Sequence, residues 1–319
     1  LEFTAEWYKN TSTDLLYSVR VPEQAGVSNS TVTMNAASMN NSGFEFAATY
    51  RNRDHAFKYE VSGNLSTLRN RVTSLGIGTD SSINGAYITD VGQEIGRFYG
   101  WVYEGIARTQ EDLDNHATQD GANVGDCLYK DVNGDGVVNG DDQTVLGSGM
   151  PKINFGLNAR FEYKGFDLSI ATYVALNYHV ADDIYNSLNS CYGYGNKDVA
   201  ILDANRFSED GTTYLSNVPR TYVVNNASLA WNDLFSSRKI QNAAYWKIAN
   251  VELGYNFPNK WFGKYVSDVR FYVSAQSLYT FTGYHGYNVD YAGGTFTPGY
   301  NFCSFPTART FMCGLHFTF

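Results

Sequence analysis

The chain has 319 residues, with 23 Lys and Arg against 32 Asp and Glu, which gives a formal net charge of −9. An acidic chain lacks the basic surface that a nucleic-acid partner requires, so no nucleic-acid partner is expected. Aromatic residues make up 16% of the chain and Gly is common (30) whereas Pro is rare (6), a composition that favours strands and turns over helices.

The first residues already follow a strand pattern. Leu1, Phe3, Ala5 and Trp7 fall on one face. A native N-terminus rarely opens within such a pattern, so we expect the chain to be a fragment of a longer protein, with any signal sequence upstream. No apolar run approaches the roughly 20 residues of a membrane-spanning helix.

Alternation with a period of two is the dominant signal along the chain. In the segment 152–163, Phe155 and Phe161 share one face while Arg160 and Glu162 share the other, and the pattern resumes after a tight turn at 164–165. The alternation predicts about nine strands, near 1–10, 14–21, 42–51, 56–69, 152–163, 166–178, 245–257, 268–280 and 309–319.

The predicted connections alternate between two lengths. Short ones fall near 11–13, 52–55, 164–165 and 258–267, and long ones near 22–41, 70–151, 179–244 and 281–308. Such sorting predicts an all-β fold, a transmembrane antiparallel up-and-down β-barrel with short periplasmic turns and long extracellular loops. A soluble β-sandwich or a secreted β-rich binding module is the alternative, but strands of this length and loops of this size are uncommon in compact domains.

The sharpest local motif runs from Asp131 to Asp142. Oxygen donors at positions 1, 3, 5, 9 and 12, with Gly at position 6 and a backbone carbonyl at position 7, follow the arrangement of a calcium loop. Position 12 is Asp rather than the longer Glu. We expect a structural Ca²⁺ with oxygen–metal distances of about 2.3–2.6 Å, and the predicted ligands are Asp131, Asn133, Asp135, Val137 (carbonyl), Asn139 (directly or through water) and Asp142.

Two further features concern the ends and loops of the predicted barrel. The last strand ends on the aromatic Phe319, which we expect to serve as an assembly signal. Aromatic residues are also frequent in the long loops, where internal packing is favoured over ligand binding: Trp101, Tyr103, Tyr192, Tyr194, Trp231, Tyr284, Tyr287, Tyr291 and Tyr300. The chain has no GxSxG, HExxH or P-loop motif and its five His are scattered, so an enzyme is not expected.

Several segments in order resemble the SusC-like (SusC/RagA) TonB-dependent outer-membrane transporters. The resemblance extends through nearly all 319 residues. It is carried by Asn-Asn-Ser-Gly-Phe-Glu-Phe at 40–46, Gly-Gln-Glu-Ile-Gly-Arg-Phe-Tyr-Gly at 92–100, the segment 125–136, the hairpin 149–168, the near-terminal strands 245–258 and 270–278, and the segment 306–311.

The resemblance implies the C-terminal portion of a 22-stranded barrel in the outer membrane of a Gram-negative bacterium, with the plug domain absent from this chain. It also implies active import of oligosaccharides or peptides, energised by a TonB complex through the missing N-terminal part, and a SusD-like lipoprotein lid. The remainder of the same barrel and outer-membrane lipid are the other expected partners. Oligosaccharide is our first expectation for the substrate. A passive porin or an adhesin-like barrel without energy coupling remains the alternative.

Overall fold

The computed structural model describes residues 1–20, 24, 31–76, 78–191, 196–221, 231–262, 266–290, 293–302 and 304–318. These residues form strands and two short helices, α1 (Gln110–Asp114) and α2 (Asp183–Leu188). No helix in these ranges is long and apolar enough to cross a lipid bilayer. The strands are β1 (Glu2–Arg20), β2 (Thr31–Asn52), β3 (Phe57–Thr67), β4 (Arg69–Ser74), β5 (Ser81–Asn84), β6 (Tyr87–Asp90), β7 (Arg97–Gly100), β8 (Tyr103–Ile106), β9 (Cys127–Tyr129), β10 (Thr144–Ser148), β11 (Ile153–Tyr163), β12 (Phe166–Leu176), β13 (His179–Asp182), β14 (Ile240–Asn242), β15 (Tyr245–Asn256), β16 (Asp268–Thr282), β17 (Gly293–Gly294), β18 (Thr297–Pro298), β19 (Tyr300–Asn301) and β20 (Thr310–Thr318).

One large antiparallel sheet dominates the described part of the chain. Its strand order is β1-β2-β3-β11-β12-β15-β16-β20, and β4 adds to β2. Successive long strands are neighbours, so the sheet is an up-and-down meander, as predicted. The tight turn is also present, because Lys164 and Gly165 have φ of 49° and 90° and Tyr163 pairs directly with Phe166. Positive φ at both central residues is the turn geometry that matches the twist of paired strands.

The outer face of this sheet exposes large apolar side chains. Such a continuous apolar surface is unusual on a soluble protein and is typical of the lipid-facing side of a barrel. The inner face carries mainly polar and charged side chains. Exposed apolar residues on the outer face include Phe3, Trp7, Phe44, Phe57, Tyr163, Phe166, Trp246, Leu253, Phe281 and Phe317.

Aromatic contacts occur at both ends of the outer face. Near the short turns, the ring centroids of Phe166 and Tyr255 are 4.6 Å apart, and near the long connections those of Trp246 and Phe281 are 5.0 Å apart. Along β15, Trp246 and Tyr255 are about 30 Å apart at roughly 3.3 Å per residue, which a strand tilt of about 40° reduces to about 23 Å. This spacing matches the apolar band of outer-membrane barrels, about 25 Å tall and flanked by aromatic girdles.

The turn predicted at 11–13 is wrong. The strands predicted near 1–10 and 14–21 are one strand, β1, which continues past this polar run. A bulge between Ser12 and Leu15 contains Asp14 at φ 58° and shifts the pairing with β2. Because a bulge takes up extra residues without ending a strand, a local run of Asn, Thr, Ser and Asp gave a false turn signal.

The strand count and one connection change accordingly. The connection predicted at 22–41 is reduced to 21–30, because β2 begins at Thr31. It is no longer than the connection 257–267 on the opposite side, and all of its residues except 24 lie outside the described residues. The nine-stranded sheet therefore contains eight long strands and the short β4.

The other long connections, 68–152, 177–244 and 283–309, fold into a compact loop body at one end of the sheet. They contain the small sheets β10-β7-β6-β5 and β14-β13-β19 and the pair β8-β9. Strands β13 and β19 pair in parallel, with Ala181 opposite Tyr300. Two different connections therefore share one sheet.

Glycines let these connections approach more closely than other residues would. A Cβ atom at Gly149 would overlap the backbone of Pro298, and one at Gly100 would overlap the carbonyl of Phe235. The two contacts join the connection 68–152 to each of the other two. The described long connections are therefore interlocked rather than independent.

Ion pairs cover much of the inner face near the short turns. Asp167 is 2% exposed and accepts hydrogen bonds from Arg270 at 3.0 and 2.5 Å, while Arg270 also donates to Glu252 at 2.7 Å. Two carboxylates on β12 and β15 therefore share one guanidinium on β16. Ion pairs of this kind satisfy the charged groups of the inner face by hydrogen bonds between strands of the sheet itself.

We expect Arg270→Ala to destabilise the complete barrel by roughly 2–4 kcal/mol, because it leaves the buried Asp167 carboxylate without its cation. The matched control is Arg160→Ala, whose ion pair with Glu162 joins side chains that are 58% and 41% exposed and should contribute at most about 1 kcal/mol. The temperature at which the folded barrel loses its compact migration on a gel measures both. Equal shifts for the two variants would contradict a structural role for the Arg270 pair.

Candidate functional site

The predicted metal loop, residues 131–142, lies between β9 and β10 in the loop body. Its second half is anchored. Val138 is 2% exposed, and Trp101 donates its indole N–H to the carbonyl oxygen of Asn139 at 3.2 Å. The part before Val138 projects outward, with Val132 44% and Val137 42% exposed. The loop therefore has a fixed base and an accessible tip.

Asp131 and Asp142, the first and last predicted ligands, close this loop. The Asp131 carboxylate accepts hydrogen bonds from the N–H groups of Gly134 at 2.6 Å and Gly136 at 2.8 Å. Asp142 accepts one from the N–H of Val132 at 2.8 Å and a longer one from that of Asn133 at 3.3 Å, the two residues that follow Asp131. The structure thus brings the two ends of the loop together.

Gly136 provides the sharp turn that this loop requires. Its φ is 86°, and a Cβ atom there would meet nothing within 4 Å. Glycine is therefore required by the backbone conformation and not by crowding, since an L side chain at this φ is strained.

The middle ligands are arranged less favourably. The side-chain amide of Asn133 donates to Asp135 at 3.1 Å, and Asp135 accepts from the N–H of Val137 at 2.8 Å. Asn139 accepts from the N–H of Asp141 at 2.7 Å and so caps the following turn. In the described part of the chain, no three Asp, Glu, His or Cys side chains converge as a metal site.

The electrostatics of Asp142 suit a cation. Burial opposes its ionisation, but the N–H groups of Asn139, Val132 and Asn133 outweigh burial and hold the pKa of its carboxyl below the usual range. Asp142 is therefore a carboxylate at neutral pH. A carboxylate has about four acceptor positions, and those of Asp142 accept the N–H groups of Val132, Asn133 and Asn139.

The described aromatic residues of the long loops pack mostly inside the loop body, as predicted from the sequence. Tyr129 contacts Trp101 and Trp231 with ring centroids 6.5 and 6.1 Å apart, and Tyr284 is 5% exposed. Tyr287 differs, being 64% exposed. The predicted loop aromatics outside the described residues are Tyr192, Tyr194 and Tyr291.

The predicted assembly signal, Phe319, also lies outside the described residues. Strand β20 continues the predicted alternation up to Thr318. Its outer-face residues Phe311, Leu315 and Phe317 are 71%, 58% and 48% exposed. The role of Phe319 stays a prediction.

Two buried carboxylates that the sequence did not single out stabilise the loop body. Asp126 is fully buried and accepts hydrogen bonds from Arg220 at 3.1 and 2.8 Å and from Asn232 at 2.8 Å. Asp182 is 4% exposed and accepts from the hydroxyl of Tyr284. These partners are 94 to 106 residues apart in sequence, so no local spacing could have indicated them.

Comparison with curated proteins finds similarity along the whole chain. TonB-dependent receptor P3 of Formosa agariphila is 29% identical over all of this chain and 32% of the receptor. TonB-dependent receptor SusC of Bacteroides thetaiotaomicron is 25% identical over 98% of this chain and 29% of SusC. The chain therefore spans about a third of the length of these relatives. No protein-family model matches it.

Solved structures agree in fold. The RagAB peptide transporter superposes with a TM-score of 0.76 at 21% identity, covering 98% of this chain and 33% of the transporter chain. The RagAB peptide importer in its 'open-open' state gives a TM-score of 0.72 at 22% identity. With the outer apolar belt and the up-and-down sheet, these similarities make the fold that of a transmembrane β-barrel. In sequence along its whole length and in fold, the chain is a homologue of the SusC-like TonB-dependent receptors of Gram-negative outer membranes.

Proposed function

We propose that the complete polypeptide containing this chain is an active outer-membrane importer of oligosaccharides or peptides. It is energised by a TonB complex and works with a SusD-like surface lipoprotein. The observation that carries the proposal is the similarity, over 98% of the chain or more, to proteins named TonB-dependent receptors. The RagAB structures are described as those of a peptide transporter, which supports import as the activity.

The two unpaired edges of the large sheet indicate that the complete barrel contains further strands. Among the described residues, β1 and β20 each have one edge without a neighbouring strand. Unpaired strand edges are not tolerated in hydrocarbon, so further strands of the same polypeptide must close the barrel. We assign this chain to the C-terminal part of that barrel, with the plug and the TonB-contacting segment elsewhere in the polypeptide.

A passive porin or an adhesin-like barrel would share the same wall. The names of the relatives favour energy coupling, since a porin needs no TonB complex. The similarity to SusC and to the RagAB structures supports a lipoprotein partner. The compact loop body offers such a lid a firm surface at the end of the barrel where it would dock.

Uptake in a TonB-deficient strain tests the proposal. Cells carrying the complete gene and its lipoprotein partner should accumulate labelled substrate, and deletion of TonB should abolish accumulation while surface levels of the barrel stay unchanged. Undiminished uptake without TonB would identify a passive pore instead. The sequence upstream of this chain gives an independent check, because an importer requires a plug domain and a TonB box there.

The loop 131–142 binds one structural Ca²⁺ in this proposal. The paired ends at Asp131 and Asp142, the glycine turn and the ionised state of Asp142 support it. Asn133 and Asp135 lie within hydrogen-bonding distance of each other and are the middle ligands of the proposed set. The Val137 carbonyl and Asn139, directly or through water, complete the set. The ion would neutralise a self-repelling tip and so stiffen the surface on which a lid docks.

Calcium titration of the complete protein tests this site. We expect one ion per chain with a dissociation constant of about 0.1–1 mM, the range of extracellular calcium modules. Combined Asp131→Ala and Asp135→Ala substitutions should abolish binding, loosen amide-exchange protection across 131–142 and weaken lid docking. The control is Asp141→Asn, an exposed carboxylate in the same loop. Equal calcium binding by the wild type and the double variant would refute the site.

A further inference from the structure

A cavity of about 780 Å³ opens on the inner face at the loop end of the sheet. Its walls come from β1, β2 and β4 and from the segments 149–151 and 293–298 of the loop body. Its volume falls within the range of about 300–1,000 Å³ that ligand pockets occupy. The position is the mouth of the proposed lumen, where an imported molecule would first meet the wall.

The apolar part of this mouth cavity is aliphatic. It is formed by Met39, Ile95, Met150 and Pro298, of which Ile95 is 2% exposed and belongs to a buried cluster beneath the cavity. Thioether and branched aliphatic groups adapt to side chains of varied shape. They do not provide the flat faces on which sugar rings stack.

The polar part contains amides that are held in place. Asn70 is 7% exposed, donates to Asn41 at 2.7 Å and accepts from the N–H of Ile95 at 2.9 Å. Asn41 and Asn10 line the cavity beside it. Amide side chains both donate and accept, which is what an extended peptide backbone requires of a binding surface.

The charge of the cavity is negative. Glu45 lines it and lies directly opposite Glu6 in the β1–β2 ladder. In the described part of the chain neither carboxylate forms an ion pair, whereas other inner-face carboxylates do. Like charges that face each other across strands repel. A cationic group placed between them would relieve that repulsion.

Aromatic surface is scarce in the cavity. Tyr8 is the one aromatic residue among the described residues that line the cavity. The Tyr8 hydroxyl donates a hydrogen bond to the carbonyl of Thr67 at 3.2 Å. A site for neutral oligosaccharides would need stacking faces and would leave the two carboxylates uncompensated. The aliphatic floor, the fixed amides and the spare negative charge together suit a peptide.

We infer that this cavity binds peptides, with an amino terminus or a Lys or Arg side chain at Glu45 and Glu6 and aliphatic side chains on Met39 and Met150. The inference rests on the proposed function, in that it names the substrate class of the importer. It replaces oligosaccharide as the first expectation for the substrate.

Binding to the purified complex of complete transporter and lipoprotein tests the inference without TonB. The probes are synthetic decapeptides with free or acetylated amino termini, with and without lysine, and a panel of neutral oligosaccharides. Decapeptides should bind. Acetylation of peptides that contain neither Lys nor Arg, or a combined Glu6→Gln and Glu45→Gln variant, should weaken binding about three- to tenfold, as expected for a partly exposed charge contact.

The control variant is Glu162→Gln, a carboxylate on the same inner face but outside this cavity. It should bind peptides as the wild type does, and Glu6→Asp with Glu45→Asp should retain most of the affinity. Binding of oligosaccharides alone, or peptide binding that ignores the Glu-to-Gln changes, would overturn the inference and leave TonB-dependent import intact. Peptide binding with TonB-independent uptake would refute the proposed function and leave the inference standing.

Discussion

Backbone hydrogen bonding in hydrocarbon is the constraint on which this structure depends. A strand that crosses lipid must pair along both edges, because no water is present to satisfy its N–H and C=O groups. Among the described residues, the six inner long strands meet this demand through one continuous antiparallel ladder, whereas β1 and β20 each pair along one edge. The period-two alternation then follows, since one side of every strand meets lipid and the other meets the lumen. The aromatic contacts at both ends of the outer face mark where lipid tails give way to water.

The inner face is governed by electrostatics. Near the short turns, Arg51 joins Glu2 and Glu60, and Arg270 joins Asp167 and Glu252. These charges are therefore neutralised within the wall itself. Toward the loop body the balance changes at Glu6 and Glu45, which lie opposite each other and form no ion pair with any residue that the structure describes. The inner face is thus neutral near the short turns and negatively charged toward the loop body.

Structural features that recur along the chain, such as the alternating strands, could be predicted from the sequence. Features that depend on single residues could not. Alternation located the long strands, and Lys164-Gly165 located the tightest turn, because both signals are local. The bulge at Asp14 could not be distinguished from a turn, since a polar run has the same composition in either conformation. In the metal loop, spacing identified the closing pair Asp131 and Asp142, but not that Asn139 caps the next turn. The ion pair between Arg270 and Asp167 joins residues 103 positions apart in sequence, so only the fold could bring them together.

The interlocked loop body also limits how such transporters can diversify. Gly149 lies against Pro298 and Gly100 against Phe235, and β13 shares a sheet with β19. If one connection alone were replaced by that of a relative, it would lose its close backbone contact at a glycine or its partner strand. Buried backbone polar groups would then lack hydrogen-bond partners. The three connections must therefore be inherited, or engineered, as one cassette. Their amino-acid changes should be correlated across connections, so that the loops evolve as a small domain distributed along the chain.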